Sequence, residues 1–161
     1  MKKTITALLT LILIIVTGCG ETDCPLTTVS TARFQFLDSR THKAVTFTQP
    51  VTVTGTATVA DTLQTDTLFN QAMEYMTLPL SYTDETTYVM HYTELMRDTI
   101  WVTHRNIPFV NNIECPAMMH YQVEKLRYTT NALDSVTIVN PEITHEEKNN
   151  FNIYYRTADA E

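Results

Sequence analysis

The amino-acid sequence predicts an all-β protein, a two-sheet antiparallel β-sandwich of eight or nine strands that is Ig-like in general architecture. The 161-residue chain contains thirty threonines and eight tyrosines beside many valines and isoleucines, residue types that suit a pleated, half-buried surface. Turn-forming residues recur about every 8–12 residues. Short segments between them alternate apolar and polar residues, and the expected inward positions include Ala32, Phe34, Phe36, Phe151, Ile153 and Tyr155. A closed β-barrel is the alternative architecture.

Eight segments carry the strand pattern, and the count becomes nine if the chain bends at Gly55, the last glycine in the sequence. Pro79 indicates an edge strand, because proline cannot donate to a β-ladder. Residues 68–76 are compatible with one turn of helix or a loop between sheets, residues 105–112 with a connection, and residues 142–150 with a charged loop or helical turn. The eight segments span residues 32–36, 50–63, 76–82, 86–93, 98–104, 117–129, 135–139 and 151–155.

Residues 1–18 predict a secretory signal peptide. Lys2 and Lys3 form a positively charged start, and residues 5–16 form an apolar run interrupted only by two threonines. A helix that crosses a bilayer needs roughly twenty apolar residues, so this run is too short to span. A positive start, a short apolar run and small residues before a break are typical of a cleaved signal. The predicted β-sandwich domain is then residues 31–158.

The end of the apolar run resembles the bacterial lipobox. Residues 16–19 read Val-Thr-Gly-Cys, and the resemblance implies cleavage after Gly18 and lipidation of Cys19. Several acyl chains on one residue anchor firmly, since each buried methylene contributes about 0.8 kcal/mol. Gly20 is not the aspartate that retains many lipoproteins in an inner membrane, which favours the outer membrane, facing either the periplasm or the cell surface. Residues 19–30 are then a lipidated tether.

The charge of the chain limits its partners. The net charge is −7 at pH 7, and the two lysines of the signal make residues 19–161 more acidic still. An acidic chain without a cluster of Lys and Arg argues against nucleic acid as a partner and against electrostatic docking on anionic lipid. We therefore expect membrane contact through the lipid anchor, and the sequence predicts no cofactor.

The two remaining cysteines predict a disulfide. With Cys19 lipidated, Cys24 and Cys115 would both reach an oxidising compartment, where an even pair usually bonds. A Cys24–Cys115 bridge would close most of the domain into a loop and pin the tether to the fold. Two unpaired buried thiols and a reactive thiol are the alternatives.

The histidines suggest one possible arrangement of metal ligands. His91 and His104 could face each other across a hairpin, with His120 on a neighbouring strand, and three imidazoles on one sheet face would suit zinc. No two histidines have H-x-H or H-x-x-x-H spacing, so hydrogen-bonded or exposed histidines are the preferred interpretation. Without a G-x-S-x-G motif or a glycine-rich phosphate loop, the sequence predicts a non-enzymatic protein, and a metal-dependent hydrolase is the alternative.

Aromatic residues on the predicted strands offer a binding hypothesis. Tyr88, Tyr92, Trp101 and Tyr121 would form a platform for sugar rings or a partner protein if they shared an outer face of a sheet. The alternative is that they fill the core or cover its edges. Alternation alone does not tell which of the two faces of a sheet is exposed to water.

Several stretches of the second half carry a family resemblance. They are Asp98-Thr99-Ile100, Phe109, Glu114-Cys115, Asp134-Ser135-Val136 and Val139-Asn140-Pro141. In these residues the chain resembles an uncharacterised family of Bacteroidales lipoproteins, the family of domain of unknown function 6452. The family pattern has an early cysteine, matched by Cys24, and a second one matched by Cys115, although members often have glycine where this chain has Pro116. The resemblance implies no catalytic residues, and it suggests an outer-membrane β-barrel protein as a partner.

Together these observations predict a non-enzymatic outer-membrane lipoprotein that binds or assists an envelope protein. The alternative is a carbohydrate-binding lipoprotein of a glycan-uptake system that uses an aromatic face.

Overall fold

The computed structural model of the chain describes residues 24–25, 29–47, 51–59, 62–71 and 74–156, which form two β-sheets. The predicted all-β, two-sheet architecture is confirmed. No helix among these residues is long and apolar enough to cross a membrane. The strands are β1 (Thr31–Asp38), β2 (Val51–Val59), β3 (Thr62–Gln71), β4 (Tyr75–Pro79), β5 (Glu85–His91), β6 (Arg97–Phe109), β7 (Met118–Tyr128), β8 (Leu133–Ile138), β9 (Glu142–Ile143) and β10 (Asn149–Tyr155).

The smaller sheet has the strand order β4-β1-β10-β8, and the larger has the order β3-β2-β5-β6-β7-β9. Both orders end in edge strands, so neither sheet closes among the described strands, and the alternative of a closed barrel is wrong. Every pair in these sheets is antiparallel except β1 with β10, which run parallel. Parallel neighbours need a long connection, and here the entire larger sheet lies between them in the chain.

The hydrophobic core lies between the two sheets and is built from alternate residues of each strand. Phe34 of β1 stacks on Phe151 of β10, with ring centroids 4.6 Å apart, and meets the edge of Tyr88 from the facing sheet at 5.6 Å. A fully buried side chain of this size contributes roughly 1.5–3 kcal/mol through loss of contact with water. The six residues predicted to face inward are all buried, namely Ala32, Phe34, Phe36, Phe151, Ile153 and Tyr155.

Strand β6 is longer than predicted. Residues 105–112 carry a proline and were expected to connect two strands, but β6 continues to Phe109. Beyond Thr103 the neighbouring strand β5 has ended, so β6 pairs only with β7. Pro108 lies in this part of β6, which pairs on one side only, and proline is tolerated in strands that have a free edge.

Residues 62–71 also differ from the prediction. Strand β3 pairs with β2 along its whole length, and the irregularity in this ladder falls between Val53 and Thr54, beside Gly55. The predicted helical turn or loop at residues 68–76 is therefore wrong over its first part. Backbone pairing with β2 overrides the local helix-compatible pattern, as tertiary context often does.

A buried carboxylate organises the turn between β7 and β8. Asp98 of β6 is 0% exposed. Its Oδ1 accepts hydrogen bonds from the Thr129 hydroxyl (2.6 Å) and the Asn131 amide (2.7 Å), and its Oδ2 from the amides of Ala132 (2.8 Å) and Leu133 (2.9 Å). Burial alone would raise the pKa of Asp98, but these four donors together lower it. The carboxylate therefore stays ionised at neutral pH and ties β6 to the start of β8.

Substitution of Asp98 by alanine should lower the free energy of unfolding by about 3 kcal/mol, because buried donors in the turn lose their acceptor. Urea unfolding with the disulfide intact measures this change. The matched control is Asp134→Asn, which removes an exposed ion pair to Arg156 and should change stability by less than about 0.5 kcal/mol. Equal effects of the two substitutions would contradict the assigned role of Asp98.

The Asp98 carboxylate should also make the free energy of unfolding depend on pH. The pKa of Asp98 is lower in the folded chain than its ordinary value of 3.8. The contribution of the ionised carboxylate to the free energy of unfolding is therefore complete above that pH. The contribution is lost as the pH falls from there through the folded pKa. A plot of unfolding free energy against pH should thus be flatter below pH 4 in Asp98→Asn than in the unsubstituted protein.

Candidate functional site

An apolar cleft opens at the end of the sandwich that carries the disulfide. Cys24 is bonded to Cys115, with their Cα atoms 5.4 Å apart, which confirms the predicted bridge. The cleft has a volume of about 510 Å³. It is lined by Val29, Ser30, Pro79, Leu80, Tyr82, Pro108, Ala117, Met118, Met119 and Tyr121.

The topology explains why these residues meet. In the smaller sheet the start of β1 pairs with the end of β4, through Thr31 and Pro79. In the larger sheet the end of β6 pairs with the start of β7, through Phe109 and Met118. The two sheets therefore present their strand ends to each other here, and the cleft is the gap between those ends.

One polar atom in the cleft lacks a partner. Ser30 lines the cleft and is buried, yet its hydroxyl has no hydrogen-bond partner among the described residues. Buried hydroxyls are usually hydrogen-bonded, so such an atom is a place where a ligand group or a water can bind. The remaining lining is mostly apolar, and the two methionines have flexible side chains that adapt to differently shaped partners.

A buried polar network supports one wall of the cleft. His104 Nε2 lies 2.7 Å from the Thr86 hydroxyl, and its Nδ1 lies 2.8 Å from Asn106 Oδ1. Asn106 in turn donates to the backbone carbonyl of Tyr82 (2.7 Å), which assigns the proton of His104 to Nδ1. The His104 ring also meets Tyr121 edge-on at 5.1 Å. Burial lowers the pKa of His104, so its imidazole is neutral at pH 7.

The chain of hydroxyl, imidazole and amide has the connectivity of a nucleophile, its base and an orienting group. However, Thr86 is only 4% exposed and His104 only 1% exposed. A substrate would have no access to the Thr86 oxygen in this conformation. The network instead holds Tyr82 and Tyr121, two residues that line the cleft.

The proposed histidine metal site is wrong. His91 pairs with Arg97 at one end of the β5–β6 hairpin, whereas His104 lies beyond the other end, where its backbone amide donates to the carbonyl of Asp84. His91 Nε2 lies 3.1 Å from the Thr54 hydroxyl, and His120 contacts His145 instead. In the described part of the chain, no group of three or more His, Cys, Asp or Glu side chains is placed to hold a metal ion.

The predicted aromatic face does not form. Tyr88 is buried and donates to the carbonyl of Pro79 (2.8 Å), and Tyr121 is buried beside His104. Tyr92 packs on the core, with its hydroxyl 2.8 Å from that of Tyr155. Trp101 lies on the opposite side of the sheet, with the Arg127 guanidinium 5.2 Å from its ring. The three tyrosines turn inward because the second sheet covers that face, which alternation along one strand does not reveal.

Sequence reasoning missed the exposed apolar residues around the cleft. Ile113 is 95% exposed, and Val29, Tyr82, Ile107 and Val110 are also exposed. The sequence contains a sign of this surface, because residues 107–113 are unusually rich in apolar residues for a connection between strands.

Cys19, the predicted site of lipidation, lies outside the residues that the structure describes.

Comparison with known proteins places the chain in a family. The model of a family of unknown function, DUF6452, matches residues 50–155. The chain belongs to this family. The match covers Cys115 and the β4, β6 and β7 parts of the cleft, while Cys24 and Ser30 precede it. Neither the curated proteins nor the solved structures gave a match.

Removal of the disulfide should destabilise the domain strongly. The bridge spans a sequence separation of 91 residues, and the chain-entropy model assigns roughly 4–5 kcal/mol to so long a loop. The double substitution Cys24→Ser with Cys115→Ser should therefore lower the free energy of unfolding by about 4 kcal/mol in urea. A reduced sample of the unsubstituted protein should unfold at the same urea concentration as the double variant. An unsubstituted protein whose stability is unchanged by reductant would contradict this prediction.

Proposed function

We propose that this protein is a lipid-anchored module of the outer membrane that docks a membrane-embedded envelope protein at its apolar cleft, without catalysis. The observation that carries the proposal is the Cys24–Cys115 disulfide, because it fixes the chain that follows the lipobox to the cleft end of the domain.

The anchor sets the distance between the cleft and the membrane. Cys19, the residue that would carry the acyl chains, precedes Cys24 by five positions. Five residues reach at most about 18 Å when fully extended. Since Cys24 is bonded to Cys115, and Ala117 and Met118 line the cleft, the cleft stays close to the bilayer surface.

The chemistry of this end favours a protein as the occupant. The cleft is apolar, and two methionines line it. The exposed Tyr82 also lines it, and the exposed Val110 and Ile113 lie in the segment that leads from β6 to Cys115. Apolar pockets with a few polar groups bind apolar side chains, and patches of exposed apolar residues mark interaction surfaces. A β-barrel protein of the same membrane would present such side chains at the height at which the anchor holds the cleft.

The buried state of the polar network supports binding rather than catalysis. Thr86 and His104 do not line the cleft. His104 meets the ring of Tyr121 edge-on, and Asn106 links the network to the backbone of Tyr82. Their role in the proposal is to hold Tyr82 and Tyr121 in place for the partner.

Cells that express the Cys19→Ser variant should not label the protein with a fatty-acid analogue, and the protein should leave the membrane fraction. The control is Cys24→Ser, which keeps the lipobox and should still be labelled. Labelling that persists in Cys19→Ser would refute the anchor.

A photo-crosslinking amino acid at Ile113 should give an adduct with an outer-membrane protein in living cells. Leu95 is the matched control, because it is 97% exposed but lies in the β5–β6 turn. The thirteen residues of β6 separate the two positions by roughly 40 Å. Equal protein adducts at both positions, or adducts of Ile113 with lipid alone, would contradict docking of a protein at the cleft.

A further inference from the structure

The unpaired hydroxyl in the apolar cleft narrows the chemistry of the group that docks there. Ser30 lines the cleft and is only 4% exposed, and its hydroxyl oxygen has no hydrogen-bond partner among the described residues. A buried hydroxyl without a partner has lost its hydrogen bonds to water without replacement. Rotation of χ1 is enough to turn a serine hydroxyl toward a new partner. The hydroxyl therefore favours an occupant that carries a polar group.

The rest of the lining argues against a charge on that occupant. The other described residues that line the cleft are alanine, valine, leucine, proline, methionine and tyrosine, so none of them carries a charge at neutral pH. A charged group that left water for such a site would find no counter-ion, which makes its transfer costly. The favoured occupant is therefore mostly apolar and has an uncharged polar tip.

The methionines and tyrosines of the lining favour an aromatic body over an aliphatic one. Met118 and Met119 belong to β7, and the thioether sulfur of methionine makes favourable contacts with aromatic rings. Tyr82 and Tyr121 line the same cleft, and the polar network beneath it contacts both residues. Aromatic rings gain from edge-to-face or offset packing against other rings, beyond the burial of their surface.

Tyrosine and tryptophan combine an aromatic body with an uncharged polar tip. The cleft has a volume of about 510 Å³, within the range of roughly 300–1,000 Å³ that is typical of sites for small organic ligands. In membrane proteins these two residues are concentrated in an aromatic belt at the membrane–water interface, in helices and β-barrels alike. The lipid anchor of the proposed function would hold the cleft near this interface.

We propose that the cleft receives a tyrosine or tryptophan side chain from the interfacial aromatic belt of the membrane-embedded partner, and that the polar tip of this side chain bonds to the Ser30 hydroxyl. This inference rests on the proposed function, because the anchored position of the cleft selects the belt as the source of the side chain. The preference of the cleft for an aromatic ring with a polar tip follows from the lining alone and is measured without the partner.

Titration of the purified, lipidated protein in detergent with N-acetyl-tyrosinamide and N-acetyl-phenylalaninamide tests this preference. The two probes differ by one hydroxyl, so the tyrosine probe should bind about fivefold more tightly, as one net hydrogen bond would give. Both probes should shift the methyl NMR signals of Met118 and Met119 and leave that of Met96, in the β5–β6 turn, in place. The preference should disappear in Ser30→Ala and persist in the control Ser135→Ala, on β8.

The Ile113 adduct in living cells tests the source of the side chain. Ala117 is exposed and lines the cleft, so Ala117→Trp should place the chain's own indole there and lower the yield of the adduct several-fold. Ala117→Ser is the matched control and should leave the yield unchanged. Mass spectrometry of the adduct identifies the partner, and alanine in place of its interfacial tyrosine or tryptophan beside the crosslink should lower the yield as Ala117→Trp does.

The inference is overturned if the two probes bind equally, if neither shifts the Met118 and Met119 signals, or if Ser30→Ala keeps the preference. It is also overturned if the Ile113 adduct forms equally well in Ala117→Trp. Each of these results leaves the adduct of the otherwise unsubstituted protein in place, so docking at this end of the domain would stand without an aromatic side chain in the cleft. Absence of any protein adduct at Ile113 would instead contradict the proposed function and, with it, the belt as the source.

Discussion

The parallel pairing of β1 with β10 is the constraint on which the rest of the sandwich depends. These two strands form the middle of the smaller sheet, and their inward residues supply the aromatic centre of the core. Arg33 on β1 hydrogen-bonds through its amide to Asn150, 117 positions later. The smaller sheet is therefore incomplete until the last strand of the domain has been added. Contacts between such distant residues require the chain entropy of a long loop to be overcome first.

The alternation of apolar and polar residues predicted the strands well where one face of the strand is buried in the core. The alternation at residues 32–36 and 151–155 gave both the strands and their inward residues. The pattern failed where a neighbour decides the outcome. Strand β3 forms because it pairs with β2, and β6 continues past Pro108 because it still pairs there with β7. Neither fact is present in the residues of the segment itself.

The candidate sites show the same division between local and non-local information. The disulfide followed from the cysteine count and the expected compartment, which need no knowledge of strand register. The cleft and the contact of His120 with His145 depend on register. His145 lies in a charged segment that reads as solvated, and only the pairing of Tyr121 with Ile143 brings it to a second ring. The prediction of an exposed aromatic face was wrong for a related reason. The packing of the two sheets decides which face of each sheet is buried, and the pattern along one strand does not contain that information.

The disulfide also determines how the domain bears mechanical load. Tension on the chain before Cys24 passes through the bond to Cys115, close to the start of β7. The residues between the two cysteines lie in parallel with that bond, so most of the fold is shielded from the pull. A partner held at the cleft would close a short force path that bypasses β1 and the core altogether. Reduction of the bond would redirect the same force to β1, where it would act on the hydrogen bonds that join β1 to β4 and β10. The disulfide thus protects the strands of the sandwich from tension on the chain before Cys24.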